Sequence, residues 1–162
     1  ARALQDRGLI YIDSPVTGLP DAAASGKLTL LVGADTADLD NARPFLAPIG
    51  STLRHFGPVG SGTVYKLINN LMGAIHIAGL AEGLAIAEHA GLDMKLVLES
   101  IASGVAASPQ VLRHAPRMVA RDYSGASFTA ALRHKDAAYA VRLAEQLLQA
   151  KPLIGMAAVE VY

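Results

Sequence analysis

Apolar and polar positions along the chain change their spacing once, near Gly57. Before that point the apolar residues come in short runs punctuated by glycine and proline. "ARALQDRG" reads as a helix end stopped at Gly8. "GLIYIDSPV" is a β-branched and aromatic run that predicts a strand over residues 9–12, and "GKLTLLVGA" predicts a second over 28–32. "TADLDNARPFLAPIG" predicts a short helix over 37–43, with another turn begun by Pro44 and ended before Pro48 and Gly50. "STLRHFG" supplies a third strand over 52–56. From Gly60 onward strand signals stop. "TVYKLINNLMGAIHIAGLAEGLAIAEHAG" predicts one helix of about 28 residues closed by Gly91. Asp93 caps the next helix, residues 94–103; "SPQVLRHAPRMVA" predicts a helix broken around Pro116; "SFTAALRHKDAAYAVRLAEQLLQA" is long and amphipathic; "KPLIGMAAVEVY" starts a last helix. Mixed α/β followed by all-α is therefore expected, with the boundary near Gly57.

Composition narrows the partners. The 162 residues are 52% hydrophobic, and fourteen basic residues balance fourteen acidic ones. That is enough apolar material for a core, with no electrostatic footprint for nucleic acid or an anionic membrane surface. There is no cysteine, hence no disulfide framework or thiolate chemistry, in keeping with a reducing compartment such as the cytoplasm. The run without formal charge between Lys66 and Glu82 is interrupted by His76 and reads as shorter than the roughly 18 to 20 apolar residues of a membrane span. The start at Ala1, without an initiator methionine or a signal-peptide pattern, reads as that of a fragment or processed chain. The five histidines show no metal-ligand spacing, and no metal site is expected.

The turn "GPVGSGTVYKLINN" poses the chemical question. Its order, G-x-x-G-x-G, is not the G-x-G-x-x-G of a dinucleotide loop, and no Ser precedes Lys66 in an S-x-x-K motif. A helix start with Ser61 as N-cap is the simplest reading. It leaves room for chemistry. Lys66 and Asn70 are four apart and share one helix face, with Tyr65 turned elsewhere. A lysine near a helix N-terminus is disfavoured as a cation, which suits proton transfer. The glycines at 73, 79 and 83 cost about 1 kcal/mol each relative to alanine and fit a helix approached closely by others. A second turn, "DSPVTGLPDAAASGKLTLLVG", places the Thr17 hydroxyl and the Gly18 backbone N–H at a strand's carboxyl end, a place where α/β sheets bind ligands. An ordinary turn with a local hydroxyl bond accounts for it equally well.

Taken together, these segments resemble the β-hydroxyacid dehydrogenase family, which includes 3-hydroxyisobutyrate dehydrogenase and tartronate semialdehyde reductase. "DSPVTGLPDAAASGKLTLLVGA" is similar to the family's substrate segment, "GPVGSGTVYKLINN" to its catalytic segment, "AEGLAIAEHAGLD" to the end of its interdomain helix, and "FTAALRHKDAAYA" to its late Phe…Lys-Asp segment. Two departures stand out: Thr17 where serine is usual, and Leu19 in place of a second glycine. The resemblance implies the last part of a Rossmann-like NAD(P)-binding domain, residues 1–57, followed by an all-helical substrate and dimerisation domain, residues 58–162, incomplete at its C-terminus.

It further implies hydride exchange between NAD or NADP and a small hydroxy acid or its semialdehyde. Lys66 would relay the proton and Asn70 would orient Lys66 and substrate. Thr17, Gly18, Leu19 and Asn70 would bind the substrate, and Phe128 and Lys135 would serve the cofactor. Copies of the chain would associate through their helical domains. Two alternatives remain open: an imine reductase on the same scaffold, and a non-enzymatic helical interaction module.

Overall fold

The computed structural model describes residues 2–125 and 128–162. The elements, in chain order, are α1 (Arg2–Gln5), β1 (Val16–Thr17), α2 (Pro20–Ala24), β2 (Leu28–Gly33), α3 (Thr36–Leu46), β3 (Gly50–Gly57), α4 (Ser61–His89), α5 (Met94–Ser103), α6 (Pro109–Val119), α7 (Ala130–Leu148) and α8 (Leu153–Val161). The chain divides into two compact units, Ala1–Asn69 and Asn70–Tyr162.

The first unit is built on a three-stranded sheet of order β1-β2-β3, with β2 parallel to β3 and antiparallel to β1. The middle strand is buried on both faces, which is why "LTLLV" reads as a continuous apolar run. Leu30 and Val32 pack with Ala34 and Leu39 of α3, and Ile12, Val16, Leu46 and Leu53 close around them. Residues 9–12 are not a strand. Their antiparallel partner runs out: Asp13 bridges Gly33, and beyond it the chain turns at Asp35 into α3, so Leu9, Ile10 and Tyr11 stay exposed. α1 ends as its glycine predicts, with Gly8 at φ +70° and the Leu9 N–H donating to Leu4 O at 3.0 Å. Pro44 does not divide α3, because it sits in the last turn of one continuous helix.

The glycine-rich turn before α4 has a steric purpose. A Cβ at Gly62 would overlap the Leu31 carbonyl oxygen, and one at Gly33 would overlap Asp13 Oδ1 and press on Pro58 O and Ser61 N. The first turn of α4 thus lies directly on the backbone of β2, a distance open only to glycine. Ser61 is not the cap; it is already helical. The buried carboxylate of Asp13 does that work instead. Its Oδ1 accepts from the Gly60 N–H, and its Oδ2 accepts from the Thr63 N–H at 2.8 Å and the Thr63 hydroxyl at 3.0 Å. A carboxylate at a helix N-terminus gains both hydrogen bonds and the favourable end of the macrodipole.

In the second unit Leu80 and Leu84 of α4 pack with Val111 and Ala115 of α6, and Met94, Val97, Leu98 and Ile101 of α5 complete that cluster. Ala137, Ala140 and Val141 are the buried residues of α7 beside Arg133, and Gly155 and Ala158 those of α8. A Cβ at Gly155 would come within 3.1 Å of Val141 Cγ2, so a small residue sets that helix spacing. Asp93, Ser108 and Thr129 cap α5, α6 and α7 through Lys95, Val111 and Leu132 N–H respectively. α6 is not broken at Pro116 but passes it and ends three residues later. By length and composition α4 is apolar enough to cross a membrane, with a best stretch of mean hydropathy 1.4 that is 33% buried in the fold. The charge-free run between Lys66 and Glu82 is as short as the sequence reading has it; it is the helix as a whole that passes this test of length and composition.

Two outcomes test these contacts. Asp13→Ala should lower unfolding free energy by about 2–4 kcal/mol and Asp13→Asn by roughly half as much, read from urea denaturation midpoints, because the amide keeps one acceptor oxygen. His114 is held below the ordinary imidazole pKa of about 6.5, chiefly by burial and then by Arg133, Arg113 and Arg117. Its neutral form is favoured in the fold, so its contribution is complete above the unfolded pKa and is lost as pH falls through the folded value. His114→Gln should flatten the decline in Tm between pH 7 and about pH 5.

Candidate active site

Lys66 lies in the second turn of α4, half-buried. The residue before it, Tyr65, stacks on Phe56 of β3 with ring centroids 4.2 Å apart and planes 17° from parallel. That stack and the Asp13 cap fix the rotation of the helix. Lys66 Nζ accordingly reaches β1 and donates to Val16 O at 2.8 Å, which seats the ammonium against the residue preceding Thr17 and Gly18.

The bend itself is tightly defined. Gly18 has φ +141°, and a Cβ there would lie 2.6 Å from Leu28 Cδ2 and 3.1 Å from Ala22 Cβ, so backbone angle and space both require glycine. Thr17 is half-buried; Leu19 is 43% exposed and precedes Pro20 as the N-cap residue of α2 without a side-chain bond. The strand-end rationale for this bend needs correcting. β1 runs against β2, so Thr17 stands at the amino ends of the parallel pair β2 and β3. What marks the bend is the ammonium brought to it.

In the second unit, Asn70 Nδ2 donates to Asp136 Oδ2 at 2.7 Å. An ionised carboxylate only accepts, so this contact decides which end of the amide faces α7. The other carboxylate oxygen is 3.2 Å from Lys135 Nζ, and Lys135 in turn lies 5.9 Å over the Tyr139 ring. Asp136 was part of the Phe…Lys-Asp segment in the sequence, but its grip on Asn70 had no local signal, since the two are 66 residues apart. Phe128 is 37% exposed and lies under Arg133, whose guanidinium carbon is 4.9 Å from the ring centre. Lys66 is thus joined to the Val16–Thr17 strand, Asn70 to the Lys135–Asp136 pair, and Phe128 to Arg133.

Comparison with known proteins agrees with these segments. The family described as NAD-binding of NADP-dependent 3-hydroxyisobutyrate dehydrogenase matches residues 60–161, and that described as the NAD binding domain of 6-phosphogluconate dehydrogenase matches residues 1–57. The chain is 35% identical over 164 residues to an NAD-dependent L-serine dehydrogenase of Pseudomonas aeruginosa, covering 96% of this chain and 54% of that protein. It is 31% identical over 162 residues to glyoxylate/succinic semialdehyde reductase 2 of Arabidopsis thaliana, covering 100% of this chain and 45% of that protein. A solved structure of 3-hydroxyisobutyrate dehydrogenase from Mycobacterium tuberculosis with L-serine superposes with a TM-score of 0.84 at 27% identity, covering 96% of this chain and 55% of the other. The chain spans about half the length of the curated relatives it matches. With both halves matched in sequence and the architecture matched in space, the chain belongs to the β-hydroxyacid dehydrogenase family of NAD(P)-dependent oxidoreductases.

Proposed function

We propose that the protein interconverts a small β-hydroxy acid and its carbonyl form, with Lys66 as the proton relay. The observation that carries this reading is the 2.8 Å bond from Lys66 Nζ to Val16 O. It supports an ammonium stationed beside the Thr17 hydroxyl and the Gly18 backbone, groups suited to a substrate carboxylate. In reduction Lys66 gives its proton to the carbonyl oxygen as the alcohol forms; in oxidation the neutral amine takes the hydroxyl proton. Asn70, with its amide end set by Asp136, orients the substrate. Leu19 narrows the carboxylate end relative to a glycine and so bears on which acid is accepted.

Bound NAD or NADP supplies or receives the hydride. The half-exposed ammonium of Lys135 fits a group rich in phosphate, ribose and carboxamide acceptors, and Phe128, at the head of the same segment, offers an apolar wall. We assign both to the cofactor. The relatives' names, an L-serine dehydrogenase and a semialdehyde reductase, support a short hydroxy acid or semialdehyde as the substrate class. Exposed Leu147, Leu148, Leu153 and Ile154 support self-association through the helical unit, to be read by analytical ultracentrifugation.

In the full-length enzyme, Lys66→Ala should lower kcat by about 10²- to 10⁴-fold while NAD(P)H binding, followed by nicotinamide fluorescence, stays within about threefold. Wild-type turnover by that variant would falsify the relay. Asp136→Ala should reduce kcat/KM by on the order of 10-fold, through an Asn70 amide no longer held in one orientation.

A further inference from the structure

Asp13 and Val16 belong to one short stretch of chain, and that stretch grips α4 at two points. The Asp13 carboxylate, 7% exposed, takes the Gly60 N–H on Oδ1 and both the N–H and the hydroxyl of Thr63 on Oδ2, at 2.8 and 3.0 Å. Three residues on, Val16 O accepts from Lys66 Nζ at 2.8 Å. Thr63 and Lys66 are likewise three apart, which puts them on one face of α4, about 4.5 Å from each other along its axis. The two grips are thus one helical turn apart.

The two sides of this contact are not held alike. The stretch that carries Thr17 is fixed by the sheet: Val16 pairs with Leu30 and Thr17 with Thr29, Pro15 O accepts from the Leu31 N–H at 2.8 Å, and the Asp13 backbone exchanges hydrogen bonds of 2.9 and 3.1 Å with Gly33. None of these uses the Asp13 side chain. On the helix side, Ser61 N–H finds Pro58 O and Val64 N–H finds Gly60 O, but the Gly60 and Thr63 donors rest on the carboxylate. Releasing it therefore leaves the Thr17–Gly18 bend in register with β2 and loosens the turn that bears the lysine. The Tyr65–Phe56 stack remains, so the helix stays docked while its fine setting is lost. A shift of about 1 Å in a reacting group can cost about 10²-fold in rate.

We propose that Asp13, acting through Thr63, is a positioning residue for proton transfer. The pair sets where the Lys66 ammonium stands relative to the bend that receives the substrate carboxylate, and it acts on the lysine without holding the bend. This rests on the dehydrogenase reading above and assigns to that site a control separate from substrate binding.

The test uses the full-length enzyme. Thr63 is exposed, so Thr63→Val removes the hydroxyl without disturbing a core; it should lower kcat by about 5- to 10-fold with KM within about twofold, whereas Thr63→Ser should keep kcat within about twofold of wild type. Asp13→Asn, which sets an amide N–H₂ against one of the two sets of donors, should lower kcat by about 100-fold, again with KM little changed. A purely structural role predicts a lower Tm with kcat per folded enzyme unchanged, or kcat and KM moving together. Either result overturns the proposal, as does a serine variant that behaves like the valine one.

Labelling gives an arm independent of turnover. Acetylation of the enzyme by an amine-reactive ester, followed by peptide mass spectrometry, should modify Lys66 at least about fivefold faster in Asp13→Asn than in wild type. Lys27, exposed in the same unit, should label at the wild-type rate in both and so reports that the variant is folded. Equal labelling of Lys66 in variant and wild type overturns the proposal. If wild type turns over no hydroxy acid, the dehydrogenase reading fails, and the labelling alone decides whether Asp13 holds the lysine.

Discussion

Everything in the first unit is referenced to the seating of one helix end on one strand. Gly62 allows the backbone of α4 to touch the Leu31 carbonyl, and the Asp13 carboxylate collects the donors of Gly60 and Thr63. Loosening either would cost little apolar area. It would, however, release the rotation and depth of α4, and a lysine on a rotating helix is only a surface charge. The Tyr65–Phe56 stack adds a third constraint from the far side. With all three in place the Lys66 ammonium is carried to β1.

The second unit repeats the logic with different chemistry. Asn70 is held by a carboxylate, which is itself paired with a cation, so the amide's orientation is set by an ionic chain rather than by steric fit. Around this polar chain the packing uses small residues: Ala74 and Ala137 are fully buried, as is Ala158 nearly so. Close helix approach shields the Asp136 end of this chain, while the Lys135 side chain stays half-exposed, so the hydrogen bond to Asn70 is its better-protected link. Arg133, a turn earlier on α7, has its guanidinium against the rings of Phe128 and Tyr162.

How much of this the sequence discloses depends on the range of each interaction. β2, β3, α3 and the long helix α4 are legible because period, glycine punctuation and the Asp93 and Gly91 signals are local. The strand expected at residues 9–12 fails because a strand exists only with a neighbour, and β2 turns away at Asp35. The cap of α4 fails likewise: Ser61 satisfies the local rule, but a carboxylate from fifty residues upstream occupies the donors. Of the candidate site, the helix spacing of Lys66 and Asn70 is readable directly. The partners that orient them, Val16 O and Asp136, lie 50 and 66 residues away and leave no pattern in a single sequence.

That distant cap also bears on the order in which the chain acquires its form. The Ser61 N–H finds Pro58 O locally, but the Gly60 and Thr63 N–H groups are met by Asp13, so these two donors are satisfied only after a loop of some fifty residues has closed and delivered that carboxylate. Closure of such a loop is an entropic barrier met before the contacts it enables. The end of α4 that carries the lysine should therefore consolidate late, together with the sheet, while the remainder of the helix can condense earlier against α5 and α6.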